Sequence, residues 1–291
     1  MSEILRGFVS ILEGQVHYRH ADSGVHASDG SSSRPLWMVH ASPSSSVELT
    51  ALMRELGRGR RVIAPDTLGN GDSAPPRAPT PDIAYYADSS LRVMDALGID
   101  KADLYGSHTG AHIVTEMAIA RPDRFGRMVL DGIGMFSAED KADFLRNYAP
   151  EITPDAFGTQ FHWAWHFVRD QGWFFPYFRR DAAHLRGLAA PDAASLHTTT
   201  LEVLKAIRTY HLAYRAAFAH PDRERLPLVS VPSLVMADDS DPLAAGVPTA
   251  AGLLPGALAC IFTDSAAAGA VARKAALLAE FLDSGTLPAE R

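Results

Sequence analysis

Gly106-Ser107-His108-Thr109-Gly110 sets a histidine between two glycines, directly after the strand-like run Ala102 to Tyr105 and directly before a helical pattern that reaches Ala120. Flanking glycines permit a turn tight enough to lift the central side chain above a sheet. An imidazole lifted in this way suits proton transfer, because its unperturbed pKa of about 6.5 lies near neutral pH. His108 is therefore a candidate general base or covalent nucleophile. Ser107 stands one position early, and a residue displaced by one step on such a turn points elsewhere, so it would need a shifted turn to act as nucleophile.

Other histidines have weaker spacing. His112 lies four residues after His108 and could approach it on one helix face, as a metal pair does, but a third ligand at suitable spacing is missing. It is expected to be a core or supporting residue. His162 and His166 repeat the i, i+4 spacing inside Phe161-His162-Trp163-Ala164-Trp165-His166-Phe167, a mixture that suits a helix facing a pocket. Trp163, Trp165, Phe167, Trp173, Phe174, Phe175, Tyr177 and Phe178 could form an apolar wall for an aromatic or alicyclic ligand, although most of these rings are expected to pack the segment onto the rest of the protein. Arg169 could meet a carboxylate or enolate oxygen, or simply pair with Asp170. Gly69-Asn70-Gly71 lacks the further glycine and following helix of a dinucleotide fingerprint. No cofactor and no metal are expected.

The elements that must hold His108 follow from the alternation of strand and helix patterns in the first half, the sequence form of a mostly parallel sheet with helices on both faces. Leu36 to Val39 is a strand, followed by the turn His40-Ala41-Ser42-Pro43 and a helical spacing from Val47 to Leu56. Arg61 to Ala64 leads into the glycine-rich loop Pro65 to Ser73, where Asp66 is expected to cap the turn. A helix from Ile83 to Leu97 precedes the His108 strand, and Met128 to Leu130 ends this half. From 135 to 226 helical patterns rich in aromatics replace the alternation, as in a lid inserted after the sixth strand. Core residues 1–134 and 227–291 then form one unit, with Ser233 to Ala237, Ala257 to Phe262 and a terminal helix through Leu282 completing it. Low complexity is confined to Ala266 to Ala279 and to a Ser/Gly-rich turn, Ser28 to Ser33.

The chain has 291 residues, 47% hydrophobic and 21% charged, enough to bury a sizeable core. A formal charge of −7 without any basic run argues against nucleic acid or an anionic membrane as partner. The first residues do not read as a signal peptide, no run of about 18 apolar residues occurs, and the lone Cys260 suits a reducing compartment, so a cytoplasmic setting is expected. The expected partner is a small-molecule substrate, with a homodimer left open.

A glycine-flanked residue between strand and helix, after a His-x-x-Pro turn and a Pro-Asp-x-x-Gly-x-Gly-x-Ser loop, resembles the α/β-hydrolase superfamily from about Gly14 to Leu282. The likeness extends to a subset whose elbow reads Gly-x-His-Thr-Gly, with His-x-x-Pro-x-Ser-Ser earlier and Arg-Asp-Gln before aromatics, here Arg169-Asp170-Gln171. Members of the superfamily normally carry serine at the elbow.

The resemblance implies further residues. Asp241, before Pro242, matches the acid after the seventh strand and would orient an imidazole. Asp131, at the end of the sixth strand, is its rival, since some members take the acid from there. The superfamily histidine after the eighth strand is missing: Thr263-Asp264-Ser265-Ala266 stands in its place, and no histidine follows His220. Asp264 is thus a third possible partner for His108. Oxyanion donors would be the N–H of Thr109 and one from Ala41 or Ser42, with His40 supporting that turn. The reading is a cofactor-free hydrolase of a small, mostly apolar carbonyl compound, cleaving an ester, a lactone or a carbon–carbon bond. An eliminating lyase, a ligand-binding protein without catalysis, or a purely structural His108 are the alternatives.

Overall fold

The computed structural model describes residues 2–22 and 34–287, so the expected Ser28–Ser33 turn lies outside the described residues. Strands β1 (Leu5–Ile11), β2 (Gly14–Ala21), β3 (Leu36–Val39) and β4 (Val62–Pro65) are followed by β5 (Ala102–Ser107), β6 (Phe125–Asp131), β7 (Ser233–Asp238) and β8 (Leu258–Phe262). They form one sheet in the order β1-β2-β4-β3-β5-β6-β7-β8. The β1–β2 and β2–β4 pairs are antiparallel, and the remaining pairs are parallel. Every residue of β3 and β5 is buried: β3 is an uninterrupted apolar run, and β5 buries Asp103 against Arg60 at 3.2 Å.

Helices α1 (Thr50–Leu56), α2 (Ile83–Ala96) and α3 (Thr109–Ala120) belong to the first half, while α4 (Ala138–Asn147), α5 (Thr159–Trp173), α6 (Ala193–Lys205), α7 (Tyr210–Ala219) and the single turn α8 (Asp222–Arg225) lie between β6 and β7. Helices α9 (Val247–Leu253) and α10 (Ala270–Ser284) complete the chain. One face of the sheet is covered by α2, α3 and α9 through Ile83, Met94, Ile113, Met117 and Val247. The other is covered by α1 and α10 through Met53, Leu278 and Phe281. A third cluster, with Phe144, Phe167, Tyr210 and Tyr214, belongs to the helices between β6 and β7. None of the described helices is long and apolar enough to cross a membrane.

Several boundaries differ from the sequence reading, most by one to three residues. β5 runs on to Ser107 because Gly106 and Ser107 keep pairing with Leu130 and Asp131, which also lengthens β6. The helix expected from Val47 starts at Thr50, because residues 45–50 are wound as successive i to i+3 turns: Glu48 N–H to Ser45, Leu49 to Ser46, Thr50 to Val47. From β3 the chain steps to β4 on one side and then to β5 on the other, and ligands of open α/β sheets bind beyond the carboxyl ends of strands at such a switch point. There His40, His108, Gly132 and Asp241 follow β3, β5, β6 and β7.

Candidate active site

His108 has φ 48° and ψ −109°, a backbone conformation that ordinary side chains rarely adopt and that costs on the order of 1–3 kcal/mol. Its neighbours make the turn sterically feasible. A Cβ on Gly106 would overlap the Gly110 carbonyl, and one on Gly110 would overlap the Val39 carbonyl, so both glycines are required by close approach. The His108 N–H donates to the Asp131 carbonyl at 2.9 Å, and the His108 carbonyl accepts from Ala111 N–H at 2.9 Å, fixing the turn between β6 and the first coil of α3.

The His108 ring meets Asp241, with Nε2 2.6 Å from Oδ2. Asp241 is held in turn by the Leu243 N–H on Oδ1 at 2.8 Å. Its carboxyl stays below the usual carboxylate value, because the opposite charge and hydrogen bond of His108, the Leu243 N–H and the charge of Arg186 outweigh burial, which alone would raise it. Burial alone would lower the His108 pKa, but the charge and hydrogen bond of Asp241, aided by Glu48 and Asp131, push it up to about 9. The ring lies deep in the molecule, yet 39% of the side chain remains open, because it faces a cavity. With Nε2 on Asp241, Nδ1 is the nitrogen left for a ligand.

Room for that ring is made by Gly132, whose φ is +79°. A Cβ there would lie 2.6 Å from His108 Cδ2 and 3.1 Å from Asp241 Oδ2. Sequence reasoning passed over Gly132; the signal was the pair Gly132 and Gly134 just after a buried strand that ends beside the elbow.

The other two carboxylates do not reach the ring. Asp131 accepts from the Tyr105 hydroxyl at 2.6 Å and pairs with Lys274 Nζ at 2.7 Å, below the site rather than in it. Asp264, at φ 54°, donates its N–H to Asp239 at 2.9 Å and lends its carbonyl to Arg273, and the Ser265 hydroxyl also donates to Asp239, so the loop after β8 folds onto Asp239 and away from the cavity. Asp241 is the partner the backbone delivers.

The turn after β3 is held from below. His40 is buried, its Nδ1–H donating to the Ala41 carbonyl at 2.7 Å and its Nε2 accepting the Thr67 N–H at 2.9 Å, which ties the β3 turn to the glycine-rich loop. It supports the turn and does not line the cavity. Asp66 accepts from His17 at 2.9 Å, from the Ser46 N–H at 2.9 Å and from the Asp72 N–H at 3.0 Å. Against burial, these bonds hold its carboxyl well below the usual range, as a capping carboxylate requires. Ala41, Ser42 and Thr109 all line the cavity. Among the described residues no acceptor takes the Ala41 or Thr109 N–H. Thr109 starts α3, where the first N–H groups have no intrahelical partner.

The cavity measures about 480 Å³. Phe136, Tyr148, Phe175, Tyr214 and Phe218 supply its aromatic wall, and Glu48, His112, Gln171 and Arg186 its polar groups. Of the rings expected to form the wall, only Phe175 does. Trp165 and His166 do not line the cavity, because α5 turns Ala164, Phe167 and Val168 inward and leaves them on its exposed side. Arg169 is also absent from the wall: it pairs with Asp170 at 2.7 Å and lies over the Trp173 ring at 5.2 Å. Ser107 is buried, donating to Glu48 at 3.3 Å, and is not at the wall either. Arg186, which the sequence reading missed, is fixed by the carbonyls of Gln171 at 2.7 Å and Ser240 at 2.9 Å.

This geometry sits in a recognisable frame: residues 34–266 match the alpha/beta hydrolase fold family, and the chain belongs to it. A 2-hydroxymuconate semialdehyde hydrolase from Pseudomonas sp. strain CF600 is 38% identical over 129 residues, 43% of this chain and 46% of that protein. The chain thus spans about half the length of the curated relatives it matches. The enol-lactonase from Burkholderia xenovorans LB400 superposes with a TM-score of 0.68 at 20% identity, covering 96% of this chain and 100% of that one. For the meta-cleavage product hydrolase from Pseudomonas fluorescens IP01 the TM-score is 0.65 at 16% identity, covering 96% and 98%. These two likenesses bear on the fold.

Proposed function

We propose that this chain is a cofactor-free hydrolase of a small, mostly apolar carbonyl compound, with His108 as the general base that activates water. The observation that carries this reading is the 2.6 Å contact of His108 Nε2 with Asp241 at the elbow, which leaves Nδ1 as the ring's open nitrogen on the cavity. Asp241 orients the ring and stabilises its charged form, as the acid of a catalytic triad does. Water held at Nδ1 loses a proton to the ring as its oxygen adds to the carbonyl carbon. The N–H groups of Ala41 and Thr109 receive the oxyanion. The helices of residues 135–226 act as the cap over the cavity.

Arg186 is the only arginine or lysine among the described lining residues, so a substrate that carries a carboxylate would place it there. The relative named for 2-hydroxymuconate semialdehyde supports a carbonyl substrate of this kind. A raised pKa also favours a second reading, in which the resting His108 cation holds an enolate oxygen during elimination. The two readings have opposite pH dependence, since only the neutral ring is a base.

The test is turnover of 4-nitrophenyl acetate, a γ-lactone and 2-hydroxymuconate semialdehyde by the wild type and His108→Ala. Loss of about 10³-fold in kcat/KM supports the reading, within the usual contribution of a positioned base. Equal turnover by the mutant, or none by either protein, contradicts it.

A further inference from the structure

A second histidine–aspartate pair opens on the same cavity. His112 stands on α3 four residues after His108, which caps that helix, and both side chains line one cavity. His112 is 5% exposed and lines the cavity. Its Nδ1 lies 2.6 Å from Asp222 Oδ1, and its Nε2 has no partner among the described residues. Asp222 comes from α8, and is itself fixed on three sides: His220 Nδ1 reaches Oδ1 at 2.8 Å, Lys141 Nζ reaches Oδ2 at 3.2 Å, and the Asp222 N–H bonds the His220 carbonyl at 3.1 Å. His220 is held at Nε2 by Glu116 at 2.9 Å, and Glu116 is gripped by both arms of Arg225 at 2.7 Å. A core histidine needs one partner. This one has a carboxylate braced by Lys141 and by His220, which Glu116 holds in turn, while its far ring edge is left for a ligand.

We infer that His112 is the general acid of this site, giving the proton from Nε2 to the leaving group while His108 takes the proton of water. The inference rests on the hydrolase reading above. Water adds to the carbonyl carbon and its proton passes to His108 Nδ1. Collapse of the oxyanion then breaks the bond to the leaving atom, whose electron pair takes the His112 Nε2 proton. The products are an acid and a protonated leaving group, and solvent returns the proton from His108 to His112. Two groups divide the work that one histidine performs in a serine triad, and the arrangement explains how a site lacking the histidine after β8 completes a proton cycle.

The donor atoms of His112, His220 and Asp222 lie within 4.8 Å of one another, close enough for a metal. Both Nδ1 atoms already bind Asp222, however, and the Lys141 ammonium occupies its other oxygen, an arrangement that suits proton-bearing rings better than a second cation.

The test compares 4-nitrophenyl acetate, whose phenolate leaves without a proton, with ethyl acetate, whose ethoxide needs one. His112→Asn keeps an amide donor where Nδ1 stood and removes Nε2. It is expected to lower kcat/KM for ethyl acetate about 10²-fold more than for 4-nitrophenyl acetate. His220→Asn, behind Asp222, is expected to change both rates by one factor. His108→Ala should lose both substrates. If His108→Ala loses neither, or the wild type turns over neither, the hydrolase reading fails and this inference with it. If His108→Ala loses both while His112→Asn shows no leaving-group bias at an unchanged melting temperature, the inference alone is overturned. Zinc or another metal found at one equivalent, with loss of turnover on chelation, would overturn it too. Should His112→Asn fail to fold, Asp222→Asn, which keeps His112 but frees its ring, is read in the same way.

Discussion

His108 and His112 stand one helical turn apart, each 2.6 Å from an aspartate, and yet their surroundings are opposite. His108 sits on a strained turn with 39% of its side chain open to the cavity, and its aspartate arrives on a loop. His112 sits in regular helix, nearly sealed, and its aspartate belongs to a network of five charged or titratable side chains. The lesson is that a shared pair of residue types does not set a role. An open nitrogen on a ring held by one carboxylate suits a group that takes the proton of water at the reacting carbon, whereas a braced ring with one free edge suits a group that delivers its proton in one direction.

The largest expected break in that comparison is His108→Ala, at about 10³-fold in kcat/KM against any accepted substrate. Asp241→Asn should cost about 10²-fold and let the His108 pKa fall back toward about 6.5, visible as a downward shift of the pH–rate bend. Gly132→Ala is expected to cost about 1–3 kcal/mol of stability, from strain at φ +79° and the clash with His108, and about tenfold in rate by displacing the ring. Asp264→Ala and Trp165→Ala, outside the cavity, should leave kcat/KM within about twofold, because surface changes away from a site are usually small. A large loss from either would move the site.

Stability should follow the same pair. The folded pKa of His108 is raised, so its contribution is full below about pH 6.5 and disappears as pH rises through about 9. Asp241 is lowered, so its contribution holds above its unfolded value near pH 4 and disappears as pH falls. The melting-temperature gap between wild type and His108→Ala should therefore narrow between pH 6.5 and 9. A gap independent of pH there would deny the ion pair.

The elbow was legible in the sequence because it is fixed locally, as a glycine-flanked residue between strand and helix, whereas Asp241 came from the family resemblance and stood beside Asp131 and Asp264 until the structure brought it to the ring. What was not legible depended on helix phase or distant pairing. Helix α5 carries aromatics on every side, Phe161, Trp163, Trp165 and Phe167, so its apolar pattern did not say which side faced inward, and the structure chose Phe167. Asp264 looked equivalent to a superfamily position by order along the chain, but hydrogen bonds to Asp239 turned its loop outward. His112 and Asp222 are separated by 110 residues, and nothing in spacing could bring them together. Arg186 was silent, on an irregular segment, and Gly132 showed only as one of a glycine pair, its need lying in a positive φ and in the ring beside it.

The most direct test of the central claim is kcat/KM against pH, from 5 to 10, for 4-nitrophenyl acetate, whose leaving group needs no proton from His112. The account predicts a rise of one order of magnitude per pH unit that bends to a plateau near pH 9, where His108 becomes neutral, and that bends at lower pH in Asp241→Asn. A rate that falls through pH 9, or a profile unchanged by Asp241→Asn, would contradict His108 as the base.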